Sequence, residues 1–315
     1  MVTIGGVLLY SQVEKKENDV LKGNSKIKLP KKVEIIWKNY IIVIISNSCN
    51  LPGGICWVGL EGGITMNEKI AQLRKILDDS TYTVALCGSG MMEEGGFIGI
   101  KKQDKAYDIE NRYGYGVEEM YTSAFYNTRP EQFFEFYKKE MLHNAPRDTA
   151  SGPALAAMER AGKLQCIIDS NIYDKARRGG CRHVINLHGS IYQNQCPRCK
   201  KKYSIGYMAG AKRVPICRDC NVPIRPMISL IGEMVDSQNM TKTTQEITKA
   251  DTLLLLGTTL ASEVFCQYIQ YFAGRNMVII HKQEHYLDKD ADLVILDHPM
   301  NVLPQLGYGE EKTEE

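Results

Sequence analysis

The chain has 315 residues, 43% hydrophobic and 24% charged, which is enough for one large or two modest domains with a real core. Its formal net charge of +2 gives no electrostatic reason to expect a nucleic-acid or membrane-surface partner. The longest apolar run, residues 40–45, is far shorter than the roughly 20 residues that span a bilayer, and the first residues show no secretory signal. We therefore expect no membrane segment and a reducing, cytoplasmic setting.

The first 65 residues differ from the rest of the chain in charge and in pattern. They contain 8 lysines and 5 acidic residues, whereas the remainder contains 31 basic and 32 acidic residues. Residues 33–45 fit either a strand or a short buried helix, and residues 46–63 are rich in Asn, Gly and Pro, which predicts a loop. We treat residues 1–65 as a segment of doubtful status, with Met66 as a possible translation start.

From Met66 onward the hydrophobic pattern predicts an α/β domain over residues 66–307, followed by an acidic tail at 308–315. An amphipathic helix begins at Met66, with Ile70, Leu73 and Leu77 at helical spacing. Buried strands are predicted at 81–87, 164–169, 183–187, 252–256, 277–280 and 293–296. Further helices are predicted at 154–162 and 263–273, and an aromatic helical insertion at about 97–145. Strands that alternate with helices predict a Rossmann-like, doubly wound parallel sheet.

The ten cysteines include two tight pairs within residues 191–226. The pairs are Cys196 with Cys199 and Cys217 with Cys220, in the spacing C-x2-C-x17-C-x2-C. Thiolates at this spacing can surround one Zn²⁺, and four protein ligands leave no open position, so the site would be structural. Disulfides or free thiols are the alternatives. Cys87, Cys166 and Cys266 lie in apolar stretches, where we expect small buried hydrophobic residues.

Two glycine-containing turns follow predicted strands. Gly88-Ser89-Gly90 could let the backbone approach a pyrophosphate, although the run is not a full G-x-G-x-x-G and a tight turn fits as well. Gly257-Thr258-Thr259 ends an apolar strand, at the edge where open α/β sheets bind ligands. An ordinary Thr cap explains this second turn equally well.

His188 leaves a predicted strand and enters a Gly-Ser turn just before the cysteine segment. Its ordinary pKa lies near neutrality, so a histidine in this place suits general-base chemistry. A purely structural histidine is the alternative.

Taken in chain order, these segments resemble the sirtuin family of NAD-dependent protein deacylases over residues 70–307. The matching pieces are Gly88-Ser89-Gly90 with Glu94 and Gly96, Asn171-Ile172 with Arg177-Arg178 and Gly180, His188-Gly189-Ser190, the four paired cysteines, Arg225-Pro226 with Gly232-Glu233, and Gly257-Thr258-Thr259-Leu260. The resemblance implies a Rossmann-like domain that carries a small zinc-binding module and a helical insertion.

The resemblance also implies the site and its reaction. NAD is consumed as a co-substrate, nicotinamide leaves, and the acyl group of a modified lysine passes to ADP-ribose. The positions that match the family's catalytic pair are His188, as general base, and Asn171. The positions that match its nucleotide site are Gly88, Ser89, Gly90, Glu94, Ser170, Asn171, Gly257, Thr258, Thr259 and His281. The implied partner is an acyl-lysine protein, and one structural zinc ion is the implied metal.

Several family positions are changed in this sequence. Residues 97–101 replace the family's I-P-D-F-R run, so the usual Phe and Arg near nicotinamide are missing there. The Asp of the nicotinamide pocket is Tyr173, and the Phe of the peptide clamp is Ile231. The remaining changes are Ser170 for Gln, Ala176 for His, and His281 for a late Asn.

Three functions are compatible with this combination of retained and changed family positions. The first is an NAD-dependent protein deacylase, which the retained His188 favours. The second is a protein mono-ADP-ribosyltransferase of the divergent sirtuin type, which the altered peptide clamp favours. The third is a non-catalytic NAD-binding zinc protein, which the replacement of the Asp by Tyr173 favours.

Overall fold

The computed structural model describes residues 32–37, 40–45, 64–234 and 236–309, and the chain divides into two units, Met1–Thr65 and Met66–Glu315. In the first unit, strands β1 (Lys32–Trp37) and β2 (Tyr40–Ile45) form an antiparallel hairpin in which Trp37 pairs with Tyr40. The strand alternative for residues 33–45 is therefore correct. The loop predicted at 46–63 and the end of the acidic tail lie outside the described residues.

The second unit contains a six-stranded parallel sheet. Its strands are β3 (Thr83–Cys87), β4 (Cys166–Asp169), β5 (Val184–Asn186), β9 (Thr252–Leu256), β10 (Asn276–His281) and β11 (Leu293–Leu296). Their order across the sheet is β11-β10-β9-β3-β4-β5. The chain starts in the middle, builds one edge and then returns to build the other, which is the Rossmann order. The predicted fold class is confirmed, and the switch point lies between β3 and β9.

Apolar layers cover both faces of this sheet because alternate residues of its strands point to opposite sides. Val84 and Leu86 of β3 belong to one buried cluster, whereas Ala85 and Cys87 belong to the other. Strands that are buried on both sides become continuous apolar runs such as residues 252–256. This explains why the sequence pattern located the strands.

The helices that surround the sheet and the insertion have the following bounds: α1 (Met66–Asp79), α2 (Gly90–Glu93), α3 (Gln103–Tyr113), α4 (Val117–Met120), α5 (Ser123–Thr128), α6 (Pro130–Phe136), α7 (Ser151–Arg160), α8 (Lys175–Arg178), α9 (Ile205–Gly210), α10 (Ser237–Lys249), α11 (Cys266–Ile269) and α12 (Pro299–Val302). A π-helical turn (Tyr137–Leu142) follows α6, and 3₁₀ turns lie at Asp288–Asp290 and Leu303–Leu306. In the described part of the chain no helix is long and apolar enough to cross a membrane.

A separate three-stranded antiparallel sheet carries the cysteine pairs. Its strands are β6 (Gly189–Gln195), β7 (Lys202–Tyr203) and β8 (Arg225–Ile228), in the order β7-β6-β8. The cysteine segment therefore forms its own small module beside the main sheet, as the resemblance implied.

Two local expectations are wrong. Residues 263–273 form only the short helix α11. It is flanked by turns that are closed by hydrogen bonds between residues three apart, such as the bond from Tyr271 N to Tyr268 O. The segment is rich in aromatic and β-branched residues, which have lower helix propensity. Cys266, expected to be buried, is exposed, whereas Cys87 and Cys166 are buried as expected.

Glu140 ties the π-helical turn to α3. Its carboxylate is 1% exposed and lies 2.6 Å from both Lys105 Nζ and Arg112 Nη1, and the Tyr113 hydroxyl donates to it at 3.1 Å. Burial acts to raise the pKa of Glu140, but the bonds with these groups hold it below the ordinary 4.5. The insertion thus depends on an ionised, buried carboxylate.

We expect Glu140→Gln to lower the free energy of unfolding by about 2 kcal/mol at pH 7, because it leaves buried donors without their charged acceptor. Urea unfolding measures the change. Glu135→Gln is the matched control, because Glu135 belongs to an exposed pair with Lys139 on the same helical segment and should cost less than about 0.5 kcal/mol. A lowered carboxyl pKa stabilises above the unfolded pKa, so the deficit should shrink below pH 4.5. Equal losses in both variants would contradict the assignment.

Candidate functional site

The turns that follow β3 and β9 interlock at the switch point of the sheet. Gly88 N donates to Leu256 O, and Gly90 N donates to Gly257 O, both at 2.9 Å. A Cβ atom on Gly90 would lie 2.6 Å from the Gly257 Cα, and Gly257 itself has a φ of +59°. The two turns can approach this closely only because Gly90 and Gly257 have no side chains. Contact between the turns is thus one structural reason for these glycines, in agreement with the tight-turn alternative that the sequence left open beside a phosphate loop.

A cleft opens over these turns, at the carboxyl ends of the central strands. We call it the glycine-loop cleft, and its lining includes Ser89, Gly90, Gly257, Thr258, Thr259, Ser262, His281, Lys282, His285 and His298. Six of the ten residues predicted for the nucleotide site lie here. The cleft is polar and lies where Rossmann-type sheets bind dinucleotides.

A second cleft continues from the first on the insertion side. We call it the histidine cleft, and its lining includes Ser89, Phe97, Val117, Tyr121, Met141, Ser170, Asn171, Tyr173, His188, Leu230 and Ile231. Its volume is about 540 Å³. Ser89 lines both clefts, so one elongated ligand could occupy them together.

His188 lies between β5 and β6, directly before the first residue of β6. Gly189 has a φ of +75°, and a Cβ there would lie 2.1 Å from Met227 O, so only glycine allows the turn that presents His188 to the cleft. The imidazole is half-buried, and this burial lowers its pKa below the ordinary 6.5. His188 is therefore mainly neutral at pH 7, the form in which imidazole accepts a proton.

Asn171 lies at the carboxyl end of β4, on the same cleft as His188. Its side-chain nitrogen donates to Gly88 O at 2.9 Å and to Asp169 Oδ1 at 2.8 Å. The neighbouring Ser170 hydroxyl donates to Cys87 O at 3.0 Å. These bonds fix the segment after β4 against the turn after β3, and the structure brings Asn171, Ser170 and His188 together.

His281 lies at the glycine-loop cleft, whereas Glu94 lies outside both clefts. His281 Nε2 lies 2.9 Å from Asp288 Oδ2, so the side chain is held at the wall of the glycine-loop cleft by a carboxylate. Glu94 lines neither cleft. Its carboxylate accepts bonds from the Thr149 hydroxyl at 2.5 Å and from Met300 N at 2.9 Å, which joins three segments of the fold.

Aromatic residues occupy the region where the family's Phe, Arg and Asp are missing. The ring of Tyr173 packs on Phe97 with centroids 5.2 Å apart, and Tyr173 is only 3% exposed. The insertion adds Val117, Tyr121 and Met141 to the same wall. The sequence did not predict which residues form this apolar wall, Tyr121 among them, because the wall depends on packing between distant segments.

Residues 229–233 form a rim of the histidine cleft. Arg225 Nη2 lies 2.6 Å from Glu233 Oε2, and Leu230 N donates to the same oxygen at 2.9 Å. Ile231 is 43% exposed at the rim of the histidine cleft, and its backbone N–H donates to Tyr121 O. The Arg-Pro and Gly-Glu motifs are thus in direct contact through Arg225 and Glu233, and the backbone bond of Ile231 attaches the rim to the insertion.

The four paired cysteines converge on one point. Their sulfur atoms all lie within 4.8 Å of one another, and Cys199 Sγ is 3.7 Å from Cys217 Sγ. A tetrahedral ion with Zn–S bonds of about 2.3 Å requires sulfur atoms about 3.8 Å apart. None of the four is in a disulfide. The Tyr203 hydroxyl donates to Cys217 Sγ and lowers the pKa of that thiol to about 6, which favours the thiolate that binds metal.

Both cysteine pairs have the same local backbone. Lys200 N donates to Cys196 O and Asn221 N donates to Cys217 O, and these two residues have φ values of +63° and +51°. Each turn folds its two cysteines toward the same side. The arrangement fits one closed, four-thiolate zinc site.

Comparisons with known proteins agree with this architecture. The Sir2 family model matches residues 89–264. A Clostridium acetobutylicum protein named NAD-dependent protein deacetylase is 32% identical over 237 residues, which are 75% of this chain and 97% of that protein. A protein of the same name from Cutibacterium acnes is 34% identical over 226 residues, covering 72% of this chain and 92% of that protein.

Solved structures lead to the same family. A structure concerned with sirtuin substrate affinity has a TM-score of 0.66 at 25% identity and covers 75% of this chain and 96% of its own. A complex of Sir2 with a p53 peptide and NAD⁺ has a TM-score of 0.62 at 25% identity, with the same coverage.

The sheet order and the joined clefts define a dinucleotide-binding protein of the doubly wound class. Within that class, the chain belongs to the Sir2 family, the sirtuins.

Replacement of one thiolate tests the metal site. We expect Cys217→Ser to lose bound zinc and more than about 3 kcal/mol of stability, because metal binding and folding of such a module are coupled. Metal analysis and thermal melting are the measurements. Cys266→Ser is the control, since Cys266 is exposed and lies outside the cluster. Full zinc content and an unchanged melting temperature in Cys217→Ser would overturn the assignment.

Proposed function

We propose that this protein is an NAD-dependent protein deacylase that removes an acyl group from lysine and releases nicotinamide and O-acyl-ADP-ribose. The observation that carries the proposal is that His188 and Asn171 line a cleft that joins the glycine-loop cleft at Ser89. A base and an amide thus line one end of the two joined clefts. The names of the bacterial relatives support the same activity.

The residues of the two clefts suit separate tasks. Gly88, Ser89 and Gly90, with Gly257, Thr258 and Thr259, would hold the diphosphate and adenosine side of NAD, and Asn171 and Ser170 the nicotinamide ribose. Bound NAD supplies a ribose carbon that is activated for transfer by the departure of nicotinamide. His188, neutral at physiological pH, then accepts a proton from a ribose hydroxyl.

The partner would be a protein with an acylated lysine. Sir2 proteins have been solved with an acetylated peptide and with a p53 peptide. The exposed rim at Ile231 offers an entry to His188 for a lysine side chain. We expect no direct nucleic-acid partner, and we propose a reducing cytoplasmic setting because none of the cysteines in the described residues forms a disulfide.

Mono-ADP-ribosylation of a protein is the second candidate. The exposed Ile231 at the peptide rim favours it, because this residue replaces the Phe of the family's peptide clamp. In that reaction a protein nucleophile would accept the ADP-ribose.

Labelled NAD separates these functions in one experiment. The purified protein is incubated with adenine-labelled NAD and a panel of acyl-lysine peptides, and nicotinamide, soluble O-acyl-ADP-ribose and protein-bound label are followed. Soluble O-acyl-ADP-ribose is the expected product. Label retained on protein would establish transfer instead, and absence of nicotinamide release under every condition would leave only NAD binding.

Loss of the base should abolish turnover without abolishing NAD binding. We expect His188→Ala to reduce deacylation about 10³-fold, because a positioned general base contributes about 10²–10⁴-fold. His183→Ala is the control, since that histidine is exposed and paired with Glu159. Unaltered product formation by His188→Ala would exclude His188 as the base.

The pH dependence should report the ionisation of His188. Because burial lowers the pKa of His188 below 6.5, the active neutral form predominates at pH 7 and is lost only as the pH falls through that lowered value. We expect kcat/KM to decrease about tenfold per pH unit in that acid range. A decrease centred above pH 7.5 would contradict a neutral, half-buried base.

A further inference from the structure

Asp169 is a buried carboxylic acid in direct contact with Asn171. It is the last residue of β4, is 1% exposed, and pairs in the sheet with Cys87 and Asn186. No other part of the proposed reaction uses it. A buried acid at the carboxyl end of a central strand, beside a proposed catalytic amide, calls for a specific explanation.

Asp169 accepts two hydrogen bonds from Asn171. The Oδ1 atom accepts from the backbone nitrogen and from the side-chain nitrogen of Asn171, both at 2.8 Å. Gly88 O accepts a further bond from the same side-chain nitrogen at 2.9 Å. Both neighbouring oxygens are acceptors, so the amide must turn its nitrogen toward them. Among the described residues nothing bonds the Asn171 Oδ1, which leaves that oxygen for a ligand.

We propose that Asp169 is a positioning residue, which holds the side-chain amide of Asn171 so that its oxygen faces the histidine cleft. The inference rests on the proposed function, because it assigns Asp169 a role through Asn171. An ionised carboxylate makes hydrogen bonds about twice as strong as a neutral acceptor does. The amide is therefore held more firmly when Asp169 is charged.

The surroundings of Asp169 place its ionisation in the physiological range. Burial raises its pKa to about 7, the bonds from Asn171 act in the opposite direction, and the charge of Asp174 adds to the increase. The groups facing Asp169 from the packed elements are Cys87, Asp174 and, around a small cavity of about 100 Å³, Glu94, Asp148, Lys175 and Arg178. Burial also raises the pKa of Cys87, so that thiol stays neutral, and Asp148 is paired with the two cations.

Asp169→Asn tests the proposal, because it keeps an acceptor oxygen but cannot ionise. We expect the variant to have about tenfold lower kcat than wild type at pH 8 and nearly equal kcat at pH 6, with little change in the KM for the acyl peptide. The wild-type profile should therefore contain a shoulder near pH 7, above the acid limb of His188, and the variant should keep only that limb. Asp169→Ala, which removes the acceptor, should be impaired at both pH values.

Asp148→Asn is the matched control. It removes a carboxylate from the same cavity without contact to Asn171, so the shoulder near pH 7 should remain. Equal loss of kcat in Asp169→Asn at pH 6 and pH 8, or no loss at either, would overturn the proposal.

A spectroscopic measurement tests the contact without turnover. In ¹⁵N NMR spectra of the full chain, the Asn171 side-chain amide, assigned by its loss in Asn171→Ala, should titrate with a midpoint near pH 7 in wild type and remain constant in Asp169→Asn. If wild type releases no nicotinamide but the amide titrates, the proposed function fails and the contact stands. If turnover is present and the amide does not titrate, the positioning role is wrong.

Discussion

The contact between the turns after β3 and β9 is the constraint on which the rest of the structure depends. These strands belong to opposite halves of the sheet, and two backbone hydrogen bonds, from Gly88 and Gly90, join their turns. The pairing fixes the switch point of a doubly wound sheet, above which both clefts open and share Ser89. A side chain at Gly90 or Gly257 would separate the turns, so the two clefts would no longer form one continuous site.

The sequence was informative where one physical requirement dominates. A strand buried on both faces must be almost entirely apolar, and the run at 252–256 matches the observed strand residue for residue. The run at 293–296 also matches its strand, although β11 is an edge strand whose Leu296 is exposed. Helix α10 was not predicted, because its Thr-rich sequence has low helix propensity and only Thr243 and Ile247 are buried. Its start depends on Asp236, whose side chain accepts a bond from Gln238 N, a capping signal that the sequence does contain.

Long-range packing explains what the sequence could not predict about the site. The motif order indicated which residues replace the family's nicotinamide-side groups, but it could not show what surrounds them. Tyr173 is accommodated because Phe97 packs on its ring, and the backbone of Tyr121 bonds to Ile231 at the rim. These contacts join the insertion to the cleft across more than 70 residues of chain. Glu94 shows the same limit, because its place beside the glycine turn predicts a ligand contact but could not show that its carboxylate also joins distant segments.

Two buried carboxylates, Glu140 and Asp169, have opposite effects on the stability of the fold. Glu140 is met by cations and hydroxyl donors, so its charge stabilises the insertion. Asp169 is equally buried, but among the residues that the structure describes it accepts bonds only from the two N–H groups of Asn171, and the neighbouring Asp174 opposes its charge. Because the pKa of Asp169 is raised, its ionisation destabilises the folded state as the pH rises above the unfolded value. The proposed positioning role gives a physical explanation for a residue that costs stability at neutral pH, because it orients the amide of Asn171, which lines the same cleft as His188.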